Sequence, residues 1–347
     1  MSGTDLARRF YLAAVRPLLG ARPHAAALLG DGSEVLGFDD DVSADHDFGP
    51  RLQVFLPPGV PEPDLGALPE TFEGFPVRFP YGGRMGHQVE LTTVAGFCTT
   101  RLGVDPVDGL SLQDWLVTPT QTLAGLTGGA VFHDPDGELA RRRTRLTWYP
   151  DDVWRYALAA GWLRVAQEEA FVARAGSTGD DLGSRVIAGR LVRELMRLAF
   201  LVERRWAPYP KWFGAAFARL DLAAGAGPLL AEALAAPDWR AREAALVTAA
   251  SRIAAATNAL GLATAVDPAP RPYYTRDIRV VGADRFVVAL TAAIEDPPVR
   301  ALLERLGVRR GGPIGSLPGT IDQVSDSTDV LTEPGRCRAA APLLGLV

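Results

Sequence analysis

Along residues 5–19 the apolar positions Leu6, Phe10, Ala13, Ala14 and Leu18 recur at helical spacing, so the chain opens on an amphipathic helix. His24 to Leu29 is a short apolar run ending in Gly30-Asp31-Gly32-Ser33, the pattern of a buried strand entering a turn. Ser33 to Gly37 reads as a short helix. Residues 39–47 are strongly acidic, and Arg51 to Leu56 then alternates as a half-buried strand. A Pro/Gly-rich loop covers residues 57–69, and further strands fit Phe75 to Phe79 and Gln88 to Val94.

The period changes after residue 135. Pro150 suits the first turn of a helix, and Asp151-Asp152 places negative charge at the same end. The helical pattern runs on to Arg174, with Val153, Ala157, Trp162, Val165 and Phe171 as core positions. Ser184 to Trp206 is a second helix, and others fit residues 211–221, 227–235 and 239–261. Arg279 to Leu290 reads as a β-hairpin centred on Gly282-Ala283-Asp284, and Asp296 to Leu306 as a helix before a Gly/Pro-rich tail. The fold class expected is α+β, with a mixed domain over residues 1–135. Residues 136–347 then form an α-helical bundle with a C-terminal hairpin and tail.

Composition narrows the function. The 347 residues are 48% hydrophobic and 22% charged, ordinary for a globular protein. No apolar run approaches the roughly 18 residues of a membrane span. The opening stretch lacks the basic start, apolar core and cleavage site of a leader, so a cytoplasmic protein is expected. Cys98 and Cys337 have no metal or disulfide-framework spacing. A net charge of −5 argues against a broad basic surface for nucleic acid. Of 36 basic residues only Lys211 is a lysine, a compact ammonium in an Arg-rich chain.

Chemistry concentrates in the first ninety residues. Asp45 and Asp47 are one residue apart, so on extended chain both carboxylates leave the same face and reach one or two divalent cations. Hard carboxylate oxygens suit Mg²⁺, with Mn²⁺ as the alternative. Glu90 stands among apolar residues on a strand, a costly place for a charge unless it is metal-bound or paired with an Arg across the sheet. The Gly32-Ser33 turn offers backbone N–H groups and a hydroxyl to a triphosphate. The metal ligands expected are thus Asp45, Asp47 and Glu90. Asp39-Asp40-Asp41 is a competing Asp-x-Asp, but no strand pattern follows it until Arg51. His46, between the two carboxylates, points to the opposite face and reads as structural. Alone, each of these features is a polar turn or an acidic loop; their order along the chain carries the reading.

That order, Gly32-Ser33, Asp45-x-Asp47, Glu90, resembles the nucleotidyltransferase superfamily that includes DNA polymerase β and kanamycin nucleotidyltransferase. More closely, Asp45-His46-Asp47-Phe48-Gly49-Pro50-Arg51-Leu52 resembles a bacterial family of nucleotidyltransferase-like proteins. Tyr209-Pro210-Lys211-Trp212-Phe213-Gly214, Asp322-Gln323 and Ser327-Thr328-Asp329-Val330-Leu331 are similar to its later motifs. The resemblance implies a mixed sheet carrying the carboxylates and a helical bundle closing over the nucleotide. Gly32, Ser33, Arg51 and Lys211 would bind an NTP, with Lys211 on the β/γ-phosphates. Gly49-Pro50 departs from the superfamily's uninterrupted strand, because Pro belongs at edges and bulges.

The resemblance also implies a base from the helical domain, and Glu168 and Glu169 are the candidates, although a helical Glu is more often a solvated charge. Trp148, Tyr149, Trp154 and Trp162 offer a stacking surface, although aromatics at helical spacing more often form core. The activity expected is transfer of NMP from an NTP to a hydroxyl of a small-molecule acceptor, aminoglycoside-like among them. The alternatives are a nucleotide-binding regulator with degenerate catalysis, or transfer to protein or RNA. A helical RNase would need an Arg–His pair, and all four histidines precede the helical part.

Overall fold

The computed structural model describes residues 2–39, 49–309 and 314–346. The architecture is α+β: a mixed sheet in one compact unit and helices making up most of the other. The first unit comprises Met1–Asp114, Thr120–Thr147 and Thr332–Gly335, and the second Trp115–Pro119, Trp148–Leu331 and Arg336–Val347.

The first unit opens with α1 (Gly3–Phe10), a π-helical segment (Tyr11–Val15) and α2 (Arg16–Leu19) as one continuous rod. The single helix expected over residues 5–19 is therefore loosened in its middle. Pro17 lies just beyond the π segment and has no N–H to give the preceding turn, a recognised cause of such bulges. Next come β1 (Ala25–Leu28), β2 (Arg51–Phe55), β3 (Thr71–Phe72), β4 (Phe75–Pro76), β5 (Arg78–Tyr81) and β6 (Arg84–Thr92). Then α3 (Val94–Leu102), α4 (Leu112–Val117, whose Trp115–Val117 count with the second unit), α5 (Thr120–Thr127), β7 (Ala130–His133) and α6 (Glu138–Arg145) follow.

The five-stranded sheet runs β5-β6-β2-β1-β7. Its one parallel pair is β2 with β6, in a register that sets Arg51 beside Gln88 and Gln53 beside Glu90. Because side chains alternate across a strand, the two faces separate cleanly. Leu52, Val54, Val89 and Ala26 pack with Phe10, Tyr11, Val15 and Leu19 of the helical rod. Arg51, Gln53, Phe55 and Glu90 leave from the other face. There Phe55 meets Phe97 of α3 edge-on, with ring centroids 5.3 Å apart. Towards Arg51 that face is open.

The short helix expected at Ser33–Gly37 is a hydrogen-bonded turn instead, in which the Ser33 carbonyl accepts from the N–H of Leu36 and of Phe38. Five residues ending in glycine give too few successive bonds to repay helix nucleation.

The second unit holds α7 (Asp151–Glu168), α8 (Phe171–Gly176), α9 (Asp181–Val202), α10 (Pro210–Phe217), α11 (Ala223–Ala235) and α12 (Trp239–Ala259). A two-stranded ribbon, β8 (Arg271–Pro272) with β9 (Arg279–Val280), precedes α13 (Asp284–Ala292) and α14 (Pro297–Arg305). Helix α7 is buried nearly all round, as a central helix must be when apolar residues cover its whole circumference. Its Trp162 stacks on Phe286 of α13 at 4.9 Å.

The hairpin expected over Arg279–Leu290 is corrected here. Arg279 and Val280 pair with Pro272 and Arg271, whereas Asp284 to Leu290 is helical. Gly282, at φ +69°, ends the extended segment, and Phe286, Val287 and Leu290 recur at the 3–4 residue interval of a buried helix face.

Candidate functional site

The open part of the polar sheet face is a cleft of about 550 Å³, within the range of small-molecule sites. Leu29 and Asp31 from the end of β1, Arg51 and Gln53 from β2, Tyr81 to Leu91 from the β5–β6 hairpin, and Arg101 from α3 line it.

The loop leaving β1 is shaped by its glycines. Gly30 donates its N–H to the Gly125 carbonyl, which anchors the loop on α5. Gly32 sits at φ +131°, where L side chains are strained, and a β-carbon there would strike the Arg51 guanidinium and the Glu34 carboxylate. Among the described residues, the N–H groups of Gly32 and Ser33 donate to no protein acceptor. That leaves two adjacent amides for an anion.

Arg51 holds this loop rather than facing solvent. Its side chain is 6% exposed. It pairs with Glu34 at 2.6 Å, donates to the Asp31 carbonyl, and lies 4.6 Å from the centre of the Tyr81 ring. The Tyr81 hydroxyl donates to the same Asp31 carbonyl at 3.1 Å. One guanidinium thus joins the β1 loop to the β5–β6 hairpin, a task that needs the planar fork and stacking face of arginine. The sequence suggests a nucleotide contact for Arg51; its geometry is that of a positioning residue.

Glu90 projects into the cleft from β6 and is 40% exposed. Its carboxylate meets Arg101 at 3.2 and 3.5 Å, longer than a close charge-assisted pair. The Arg101 guanidinium lies over the Phe97 ring at 3.7 Å. The partner anticipated across the sheet comes instead from the last turn of α3, eleven residues along the chain. Oxygen lone pairs on Glu90 stay open to a hard cation, so its donor chemistry fits Mg²⁺ or Mn²⁺. Among the described residues no group of three His, Cys, Asp or Glu could hold a metal. Asp45, His46 and Asp47 lie outside the described residues. Of the competing acidic run, Asp40 and Asp41 also lie outside. Asp39 accepts the N–H of Gly3 at 2.5 Å, which ties it to the first turn of α1.

His87 is on the cleft wall. Burial, and then the charge of Arg78, push its pKa below the ordinary histidine value. Glu34, Tyr81 and Arg101 were not singled out from the sequence. Each acts through a partner 11 to 50 residues away, and no local spacing marks such a partnership.

The other candidates belong to the second unit. Glu168 pairs with Arg190 of α9 at 2.7 Å. Glu169 accepts the N–H groups of Val281, Gly282 and Ala283 at 2.9–3.1 Å, capping the approach to α13. Burial raises its pKa to about 7 against the pull of those three amides. A carboxylate so engaged is a structural cap. Lys211 is exposed in the first turn of α10, its ammonium 5.0 Å from the Trp212 ring centre. Tyr149, Trp154 and Trp162 are buried in the core, with Trp154 donating to the Leu201 carbonyl and Trp162 to Thr257, whereas Trp148 is half-buried and stacks on Trp206 at 4.2 Å.

Residues 115–213 match the family model described as Domain of unknown function (DUF4037). The matched stretch contains Glu168, Glu169 and Lys211, whereas Gly32, Arg51 and Glu90 precede it. No curated protein matches the chain. No helix among the described residues is long and apolar enough to cross a membrane.

Proposed function

We propose that the protein is a Mg²⁺-dependent nucleotidyltransferase that moves NMP from an NTP to a hydroxyl of a small-molecule acceptor. The supporting observation is convergence. Asp31 of the glycine loop, Arg51 and Glu90 are far apart in sequence yet border one cleft on the polar face of a mixed sheet. This is the arrangement that the resemblance to the nucleotidyltransferase superfamily implies for the first domain.

In this reading Gly32 and Ser33 donate N–H groups to phosphate oxygens, and Arg51 keeps the loop in shape while they do so. Glu90 is one metal ligand, and Asp45 and Asp47 supply the rest. The bound ion would neutralise charge on the phosphates and steady the leaving pyrophosphate. The acceptor oxygen bonds to the α-phosphorus as the bond to the pyrophosphate oxygen breaks, and the hydroxyl proton passes to a base. Glu169 is spent on backbone amides and Glu168 is paired with Arg190, so neither is free to serve as that base.

Isothermal titration with each NTP, with and without Mg²⁺, tests the reading. Binding should require the ion and be lost in Asp45→Ala/Asp47→Ala. Unchanged metal-dependent binding in that variant would overturn the assignment. Pyrophosphate release with candidate acceptors then separates an enzyme from a nucleotide-binding regulator.

A further inference from the structure

The β5–β6 hairpin turns through Gly82 and Gly83, both at positive φ (+54° and +76°), the signature of a tight two-residue hairpin turn. Directly across this turn, Tyr81 pairs with Arg84. Side chains of such a pair leave the same face of the hairpin. The Tyr81 side chain crosses to the Asp31 carbonyl and to the Arg51 guanidinium, so that face looks onto the Gly30–Ser33 loop. Arg84 therefore stands on the loop's side of the cleft, whose wall it helps to form.

Charge sets Arg84 apart from its neighbours. Arg51 is neutralised by Glu34, and Arg101 by Glu90. Among the described residues Arg84 is exposed and has no carboxylate partner. Among the described lining residues it is the uncommitted cation. The hairpin that carries it is braced as well, because Gln88 donates to the carbonyls of Phe79 at 2.8 Å and Gly86 at 3.0 Å. A fixed strand pair that presents a free guanidinium on the side of the loop carrying the Gly32 and Ser33 amides suits an anion longer than one phosphate group. The amides would take one end and the fork of the arginine the other.

We propose that Arg84 holds the terminal phosphates of the nucleotide and sets the cleft's preference for triphosphate over monophosphate. This rests on the nucleotide reading of the cleft and goes beyond it by naming the residue that counts phosphates. The role is in binding: Arg84 takes part in no bond-breaking step, and it releases pyrophosphate when the guanidinium dissociates from it.

The test is titration of wild type, Arg84→Gln and Arg84→Lys with ATP, GTP, AMP and inorganic tripolyphosphate, each with Mg²⁺. Thermal melts run alongside to show that the variants fold. Arg84→Gln should weaken whichever triphosphate binds, and tripolyphosphate, about tenfold. AMP affinity should stay within twofold, and Arg84→Lys should recover part of the loss. Equal affinities of wild type and Arg84→Gln for triphosphates would overturn the assignment while leaving the nucleotide reading intact. So would an equal loss for AMP, which would mark a general charge effect. A wild-type protein that binds no triphosphate would overturn both.

Discussion

The Arg51 guanidinium meets the Glu34 carboxylate at 2.6 Å, with both side chains largely buried and the glycine loop of the cleft folded over them. The pair couples stability to the shape of the site. Removing one member of a buried pair leaves the other charge without compensation, at a cost of about 3 kcal/mol. Arg51→Ala should therefore lower the free energy of unfolding in urea by that order and abolish nucleotide binding. Arg51→Lys keeps the charge but not the fork, and should retain most of the stability while losing affinity. Equal stability and affinity in all three proteins would show that the pair organises nothing.

Gly32 is the second constraint on the same loop. At φ +131°, with Arg51 and Glu34 where a β-carbon would go, Gly32→Ala both strains the backbone and displaces the ion pair. A non-glycine residue in such a region costs on the order of 1–3 kcal/mol. The global fold, resting on the sheet and its helical rod, should survive. Titration should show nucleotide affinity falling at least tenfold, while melting shows a shift of only a few degrees. A fully active Gly32→Ala would mean that the loop does not take part in binding.

Glu90 separates a metal ligand from an ordinary ion pair. Its contact with Arg101 is long and partly exposed, and such pairs contribute under about 1 kcal/mol. Glu90→Gln and Arg101→Gln should thus melt close to wild type. If Glu90 ligates the ion, only Glu90→Gln should lose the Mg²⁺ dependence of NTP binding, and Arg101→Gln should keep it. Identical behaviour of the two variants would reduce Glu90 to the partner of Arg101.

The elements most open to a sequence reading were those with one strong period. The apolar run from His24 to Leu29 and the alternation from Arg51 to Leu56 became the paired strands β1 and β2, and the helical pattern from Pro150 to Arg174 became α7 and α8. Local spacing also singled out Glu90, because a charge among apolar strand residues is conspicuous. What stayed hidden depends on long-range partners. Nothing around Glu169 announces that three amides more than a hundred residues later need its oxygens. Tyr81 and Arg84 fall between the strands expected at Phe75–Phe79 and Gln88–Val94, and only the fold brings Tyr81 to the Asp31 carbonyl. The misread hairpin at Arg279–Leu290 shows a local ambiguity: Gly282-Ala283-Asp284 can turn a hairpin or start a helix. The buried face of Phe286, Val287 and Leu290 decides it.

Glu169 makes the second unit sensitive to pH. Burial lifts its folded pKa to about 7, against an ordinary value of 4.5. Between those two values the folded chain binds more protons than the unfolded one, so stability is greatest at the acid end and falls as pH rises through about 7. Above that point the carboxylate is ionised in both states, and the burial penalty is offset only by the amides of Val281, Gly282 and Ala283. Unfolding midpoints measured from pH 5 to 8 should decline for the wild type. In Glu169→Gln the part of that slope due to this carboxylate should vanish. The variant should also be less stable at every pH, because the amide oxygen cannot serve three donors and its NH₂ faces other N–H groups. A Glu169→Gln protein that keeps the wild-type slope would place the titrating group elsewhere, and the cap would then be ionised throughout this range.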